Sequence, residues 1–180
     1  MNTKKVLFVA GVYGVGKTTI SNEVSKKMSI PVYTASELIS HSNGEIYGAN
    51  KTVADINGNQ YTLINAVNNV LENNGLIILN GHFCILGKKG EVEALPEFVF
   101  EKIHLSCIIL LEADCDTIWR NLSNRDGKKY ELETLELLKR QERESAFRIS
   151  ELFKKKIFVH KMKFDDSDAQ LVTEFIRGII

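Results

Sequence analysis

The chain has 180 residues, 44% of them hydrophobic, and its 23 lysines and arginines balance 23 aspartates and glutamates. That length suits one globular domain able to bury roughly 70% of its unfolded surface. The neutral total excludes the whole-chain basic field that nucleic acid or an anionic membrane surface would call for, though not a local basic cleft. Cys84, Cys107 and Cys115 form an odd set with no CxxC pair. They read as reduced, buried thiols of a cytoplasmic protein. The apolar run Val6–Ala10 behind Lys4 and Lys5 is too short for a membrane span and lacks a signal-peptide cleavage site, so no membrane association is expected.

In chain order, Val6–Ala10 is a short β-branched strand, ended by glycines and followed by a helical pattern over Lys17–Met28. Ile30–Thr34 forms a second strand with Pro31 at its start, and Ser36–Ser40 a short helical piece. His41–Gly58 is rich in Gly, Asn and Ser and lacks periodicity, which predicts a mobile excursion. A helix over about Gln60–Asn73 puts Leu63, Ala66, Val67, Val70 and Leu71 on one face, and Asn74-Gly75 stops it. Leu76–Leu79 is a strand apolar on both faces, as a sheet covered on each side requires. A turn at Lys88–Gly90, a short helix over Leu95–Glu101 and the longest strand, Ile103–Leu111, come next. Asp114–Asn124 is helical, Asp126–Lys129 a loop, and Glu131–Lys155 a long charged helix. Ile157–Met162 makes a fifth strand, and Asp165–Asp168 a turn with Ser167 or Asp168 capping a terminal helix that ends near Arg177. Strand and helix alternate throughout, which predicts a single three-layer α/β domain over residues 1–180, built on a parallel sheet with right-handed crossovers.

Gly11-Val-Tyr-Gly-Val-Gly-Lys-Thr18 fits GxxxxGK[ST] at every fixed position and lies between a strand and a helix. In such a loop the glycines let successive N–H groups and the helix start face phosphate oxygens. Lys17 adds a cation and Thr18 a hydroxyl for Mg²⁺. Gly11, Val12, Tyr13, Gly14, Val15, Gly16, Lys17, Thr18 and Thr19 are therefore the predicted ATP-binding residues. A switch GTPase is disfavoured because no NKxD string is present, and a hexameric motor because the chain is short and no acidic pair follows an apolar strand. A small-molecule kinase remains the favoured class.

The loop and several later segments resemble the P-loop nucleoside-monophosphate kinase family, which includes adenylate kinase. Ile30-Pro-Val-Tyr-Thr-Ala-Ser-Glu-Leu38 looks like that family's second strand and the start of its acceptor segment, here about 35–60. Ile77-Ile-Leu-Asn-Gly-His-Phe83 looks like its third strand and following turn. Asn121-Leu-Ser-Asn-Arg125 resembles the stretch that opens its lid, and Arg140 or Arg143 falls where the lid's closing helix carries phosphate-binding arginines. The resemblance implies a five-stranded sheet of order 2-3-1-4-5, ATP over the loop, the acceptor above the strand ends, and a short lid at about 125–131. It also implies that backbone in the last turn contacts adenine. Three positions depart from the family pattern. Asn80 stands in place of an aspartate that orients Mg²⁺-bound water, Ser40 in place of an arginine on the acceptor phosphate, and Asn121 in place of the lid's first arginine.

Phosphoryl transfer needs positioning and charge neutralisation more than covalent help. Lys17 would bridge the β and γ phosphates, and Thr18 would hold Mg²⁺ with Asn80 acting through a water. Arg125 with Arg140 or Arg143 would reach the transferring group, or the latter two serve only in surface pairs. Ser36, Glu37 and His82 are the candidate acceptor contacts; His82 at the strand end either meets ligand or closes a turn. Lys51, Asp55, Asn59 and Gln60 crowd the facing segment. The expected partner is a small-molecule acceptor, foremost a nucleoside monophosphate, for a monomer or weak homo-oligomer. A slow ATPase or nucleotide sensor, and a kinase of a non-nucleotide metabolite, are the alternatives.

Overall fold

The computed structural model describes residues 4–43, 56–87, 90–126 and 130–180. Its centre is β1 (Lys5–Ala10), whose last five residues are all buried. Only strands with helices on both faces carry such unbroken apolar runs, and β1 pairs in parallel with β3 (Leu76–Asn80) on one side and β6 (Leu105–Glu112) on the other. With β2 (Val32–Thr34) outside β3 and β7 (Lys156–Lys161) outside β6, the parallel sheet runs β2-β3-β1-β6-β7. Counted within the sheet, this is the expected 2-3-1-4-5 order. Adjacent strands that run outward in opposite directions from β1 leave a crevice at their carboxyl ends, where open α/β sheets hold ligands.

Helices α1 (Lys17–Met28) and α7 (Asp166–Arg177) pack on each other, as do α2 (Ala35–Asn43) and α3 (Ile56–Asn74). The long α6 (Leu132–Leu152) lies against β6, β7 and a small hairpin, β4 (Cys84–Leu86) with β5 (Val92–Ala94). The short α4 (Glu97–Lys102) follows the hairpin, and α5 (Cys115–Asp126) leads away from β6. No helix of the described residues is long and apolar enough to cross a membrane.

Several boundaries differ from the sequence expectation for local reasons. The sixth strand begins at Leu105 because His104 takes a left-handed φ of 57°, while Ile103 still belongs to the end of α4. Helix α6 ends at Leu152, where Ser150 closes the turn on both Lys155 backbone groups. The β4–β5 hairpin was not expected, since three-residue strands are too short for a period to declare itself. The cap of α7 is Asp165 rather than Ser167 or Asp168. Asp165 accepts from the Ser167 N–H at 2.9 Å, and Asp168 reaches back to the Asp165 N–H, closing a capping box. Most of the 41–58 excursion lies outside the described residues, as do Lys51, Asp55 and the central residues of the 125–131 lid.

Candidate active site

Residues 11–18 leave the carboxyl end of β1 and enter α1, as the motif requires. Gly11 has φ 142°, and a Cβ there would stand 2.5 Å from the Leu111 carbonyl oxygen, so the loop passes β6 at a separation only glycine permits. Gly16 takes φ 102° at the start of α1 and offers no side-chain cap. The positive end of the α1 dipole therefore carries no cap from Gly16 and no acidic residue in its first turn. Lys17 Nζ lies 2.6 Å from the Gly11 carbonyl and 3.1 Å from that of Val12. These oxygens hold the ammonium where a phosphate oxygen would. Asn121 of α5 donates to the Gly14 carbonyl at 3.0 Å, which fastens the lid side to the loop.

The loop borders a cavity of 610 Å³. Tyr13, Gly14, Gly16, Lys17, Thr18 and Thr19 line one end, while Gly11, Val12 and Val15 lie buried beneath it. Arg125, one helical turn beyond Asn121, lines the same end. Arg140 and Arg143 do not line the cavity. Both are exposed, and Arg143 pairs with Glu112 at 2.8 Å while lying over the Phe147 ring. Ser36 and His82 also line the cavity, with the His82 ring centroid 4.3 Å from that of Tyr13. Glu37 is exposed and outside the lining. The Ser40 hydroxyl turns back to the Ser36 carbonyl of its own helix.

Asn80 ends β3 inside the cavity wall and is 1% exposed. Ser21 donates its hydroxyl to Asn80 Oδ1 at 2.5 Å, which leaves Asn80 Nδ2 buried without a partner. The group in need at this position is thus a donor, suited to a ligand oxygen.

Sequence reasoning missed Glu142. It is 1% exposed beneath the loop and accepts three backbone N–H groups: Gly11 at 3.1 Å, Phe83 at 2.9 Å and Cys84 at 2.7 Å. One carboxylate thereby joins the first turn of the phosphate loop to the start of the hairpin. Burial drives its pKa up from 4.5 to about 7, against the lowering pull of those N–H groups and of Lys17. Burial and then Glu142 push the Tyr13 phenol to about 12. The signal was present in the sequence: Glu142 shares the stripe of Leu135, Leu138, Ala146 and Ile149, where a carboxylate is out of place unless it has work to do.

A second buried carboxylate shapes the rim beside Gly16. Burial pushes Asp168 up, but the N–H groups of Lys163, Phe164 and Asp165 and the His160 ring at 2.6 Å outweigh this and hold its pKa below the usual value. The turn so formed puts Phe164, at φ 62°, into the cavity lining beside Gly16.

A family model described as an AAA domain matches residues 10–139. The chain belongs to this family. The AAA-domain match starts at the end of β1 and runs through the phosphate-loop motif into α6. An adenylate kinase from Thermoplasma acidophilum is 27% identical over 150 residues, covering 77% of this chain and 78% of that protein. In fold the chain is similar to a shikimate kinase from Aquifex aeolicus, with TM-score 0.60 at 15% identity over 97% of this chain and 96% of that one. It is equally similar to a deoxyadenosine kinase from M. mycoides, with TM-score 0.60 at 16% identity over 98% and 100%. The resemblance of this AAA-domain chain to P-loop kinases therefore extends from the loop to the whole architecture.

Proposed function

We propose that this chain is an ATP-dependent small-molecule kinase, transferring the γ-phosphoryl group of ATP to an acceptor in the far half of the cavity. The observation that carries this reading is one continuous cavity bounded at one end by the phosphate loop and at the other by acceptor-type walls. Lys17 would leave the Gly11 and Val12 carbonyls for the β and γ phosphates, and Arg125 would approach from the lid side. N–H groups in the first turn of α1 would take phosphate oxygens. Phe164 would offer its ring to the adenine.

Mg²⁺ would come bound to the nucleotide and offset the phosphate charge. The residues present suit that arrangement, because the Thr18 hydroxyl lines the loop end and Mg²⁺ on ATP needs few protein ligands. Among the described residues no cluster of His, Cys, Asp or Glu could hold a metal unaided. The relatives named above are kinases of adenylate, deoxyadenosine and shikimate type. They support the reaction class and spread the acceptor over nucleotides, nucleosides and hydroxy acids.

The test is ADP release in a coupled assay, with and without each member of an acceptor panel. Acceptor-dependent release is expected, and Lys17→Ala should lower it at least about 10²–10³-fold with the fold intact by circular dichroism. ADP release that ignores every acceptor would replace the kinase with an ATPase or nucleotide sensor.

A further inference from the structure

Phe164 lines the cavity with 47% of its surface exposed, and it does so with a left-handed φ of 62°. A bulky residue keeps such a backbone only where neighbouring groups over-determine it. Here the cause is Asp168, which is fully buried and accepts the N–H groups of Lys163 at 3.0 Å, Phe164 at 2.7 Å and Asp165 at 3.3 Å. A carboxylate has about four acceptor sites, and a further donor is the His160 ring, whose Nε2 lies 2.6 Å from Asp168 Oδ1. An ionised carboxylate only accepts, so Nε2 carries the hydrogen. The backbone donors belong to the turn itself, whereas His160 comes from β7 and fastens that turn to the sheet.

The direction of the His160 ring is set by packing. It is 6% exposed and stacks at 5.8 Å on Phe158, which stacks at 4.9 Å on Phe175 of α7. His160 does not line the cavity, so it can act on a ligand only through the turn. That turn delivers Phe164 to the phosphate loop: Cε1 of the ring lies 3.8 Å from where a Cβ on Gly16 would stand. Lys17, Thr18 and Thr19 follow Gly16 in the same lining. A nucleotide whose phosphates lie on this loop carries its base within reach of the ring, and a phenyl face suits the π-face of a base. The other aromatic rings of the described lining, Tyr13 and His82, lie against each other at 4.3 Å.

We propose that His160 is a positioning residue for the nucleotide: through Asp168 it holds Phe164 in the backbone conformation that presents the ring to the base. This assignment rests on the kinase reading for its nucleotide, and adds to it the buried group that sets affinity for the base. His160 touches neither substrate nor reacting atoms. Its effect is confined to the base, because the turn it fastens brings Phe164, and no cation, to the loop.

Calorimetry of ATP against inorganic tripolyphosphate, each with Mg²⁺ and at one pH, separates base contacts from phosphate contacts. Wild type should bind ATP the more tightly. In His160→Asn the amide reaches only as far as Nδ1 did, so the donor to Asp168 is lost. ATP should then weaken at least about fivefold and tripolyphosphate less than about twofold. In His160→Gln the amide nitrogen stands where Nε2 did and should restore ATP affinity to within about twofold of wild type. Phe164→Ala should weaken ATP at least as much as His160→Asn, which should add nothing further in that background, as residues acting in one chain of contacts are not additive. In the coupled assay the loss should fall on the KM for ATP, with kcat little changed. Should His160→Asn unfold, Phe158→Leu, which frees the ring without removing the donor, carries the same comparison with the same outcomes. Equal weakening of both ligands would make His160 a support of the fold at large, and additive losses would mean that it does not act through Phe164. Either result overturns the proposal, as would equal affinity of wild type for ATP and tripolyphosphate. ADP release that ignores every acceptor, with these affinities as expected, overturns the kinase and spares His160.

Discussion

Glu142 draws three backbone N–H groups to one buried carboxylate, yet burial outweighs them and its pKa rises from 4.5 to about 7. A group that holds its proton more tightly folded than unfolded stabilises the fold fully below its unfolded value, and that contribution is lost as pH rises through the folded value. Wild-type stability should therefore fall between pH 5 and 8 relative to Glu142→Gln, as read by urea unfolding. Cys84, raised to about 11, and Tyr13, at about 12, stay neutral across that window and leave the signal to Glu142. The variant also sets an NH₂ against backbone donors, a local cost of about 1–3 kcal/mol. A parallel decline in both proteins would assign the pH dependence to other groups. At this scale the sequence was legible where a motif fixes the backbone, as in the loop that sets Lys17 and Thr18 in the cavity lining, and weak where a side chain's direction decides. The string Arg140-Gln-Glu-Arg143 taken alone gives no direction, and only the longer stripe of Leu135, Leu138, Ala146 and Ile149 turns the carboxylate inward and leaves both arginines out.

The elements tell Arg125 and Arg143 apart. Helix α5 is anchored to the loop through Asn121 and Gly14, and Arg125 follows one turn later on the cavity side. Helix α6 presents Arg143 to Glu112 instead, in an exposed pair of the kind worth at most about 1 kcal/mol. Arg125→Ala should lower kcat about 10²-fold or more. Arg143→Ala should move Tm by no more than roughly 2–4 °C and change kcat less than Arg125→Ala does. Equal losses of kcat would show that α6 swings Arg143 into the site during turnover. Long elements were readable because each carries several periods. The continuous apolar run of β6 and the stripe of α3 are examples. The β4–β5 hairpin was not, since Cys84–Leu86 and Val92–Ala94 owe their pairing to each other and to α6 rather than to any pattern of their own.

Across the whole molecule, alternation of strand and helix gave a parallel three-layer sheet, whereas its order came from the family resemblance, because alternation does not say on which side of β1 each later strand is added. Neutral net charge hid a cavity whose described lining carries Lys17 and Arg125 and no carboxylate, since these residues meet only on folding. The carboxylate beneath Gly11 couples this geometry to the solvent's proton activity. Phosphates seated above it would bring negative charge toward a group already half-protonated near neutrality, and would raise its proton affinity further. Nucleotide binding at pH about 7 should then draw protons from the buffer. The observed enthalpy should vary with the ionisation enthalpy of the buffer more in wild type than in Glu142→Gln, a comparison in which the nucleotide's own titration cancels. Equal buffer dependence in the two proteins would mean that Glu142 does not sense the nucleotide. By linkage, the same coupling would add a Glu142-dependent gain in nucleotide affinity as pH falls through neutrality, a gain that Glu142→Gln should lack.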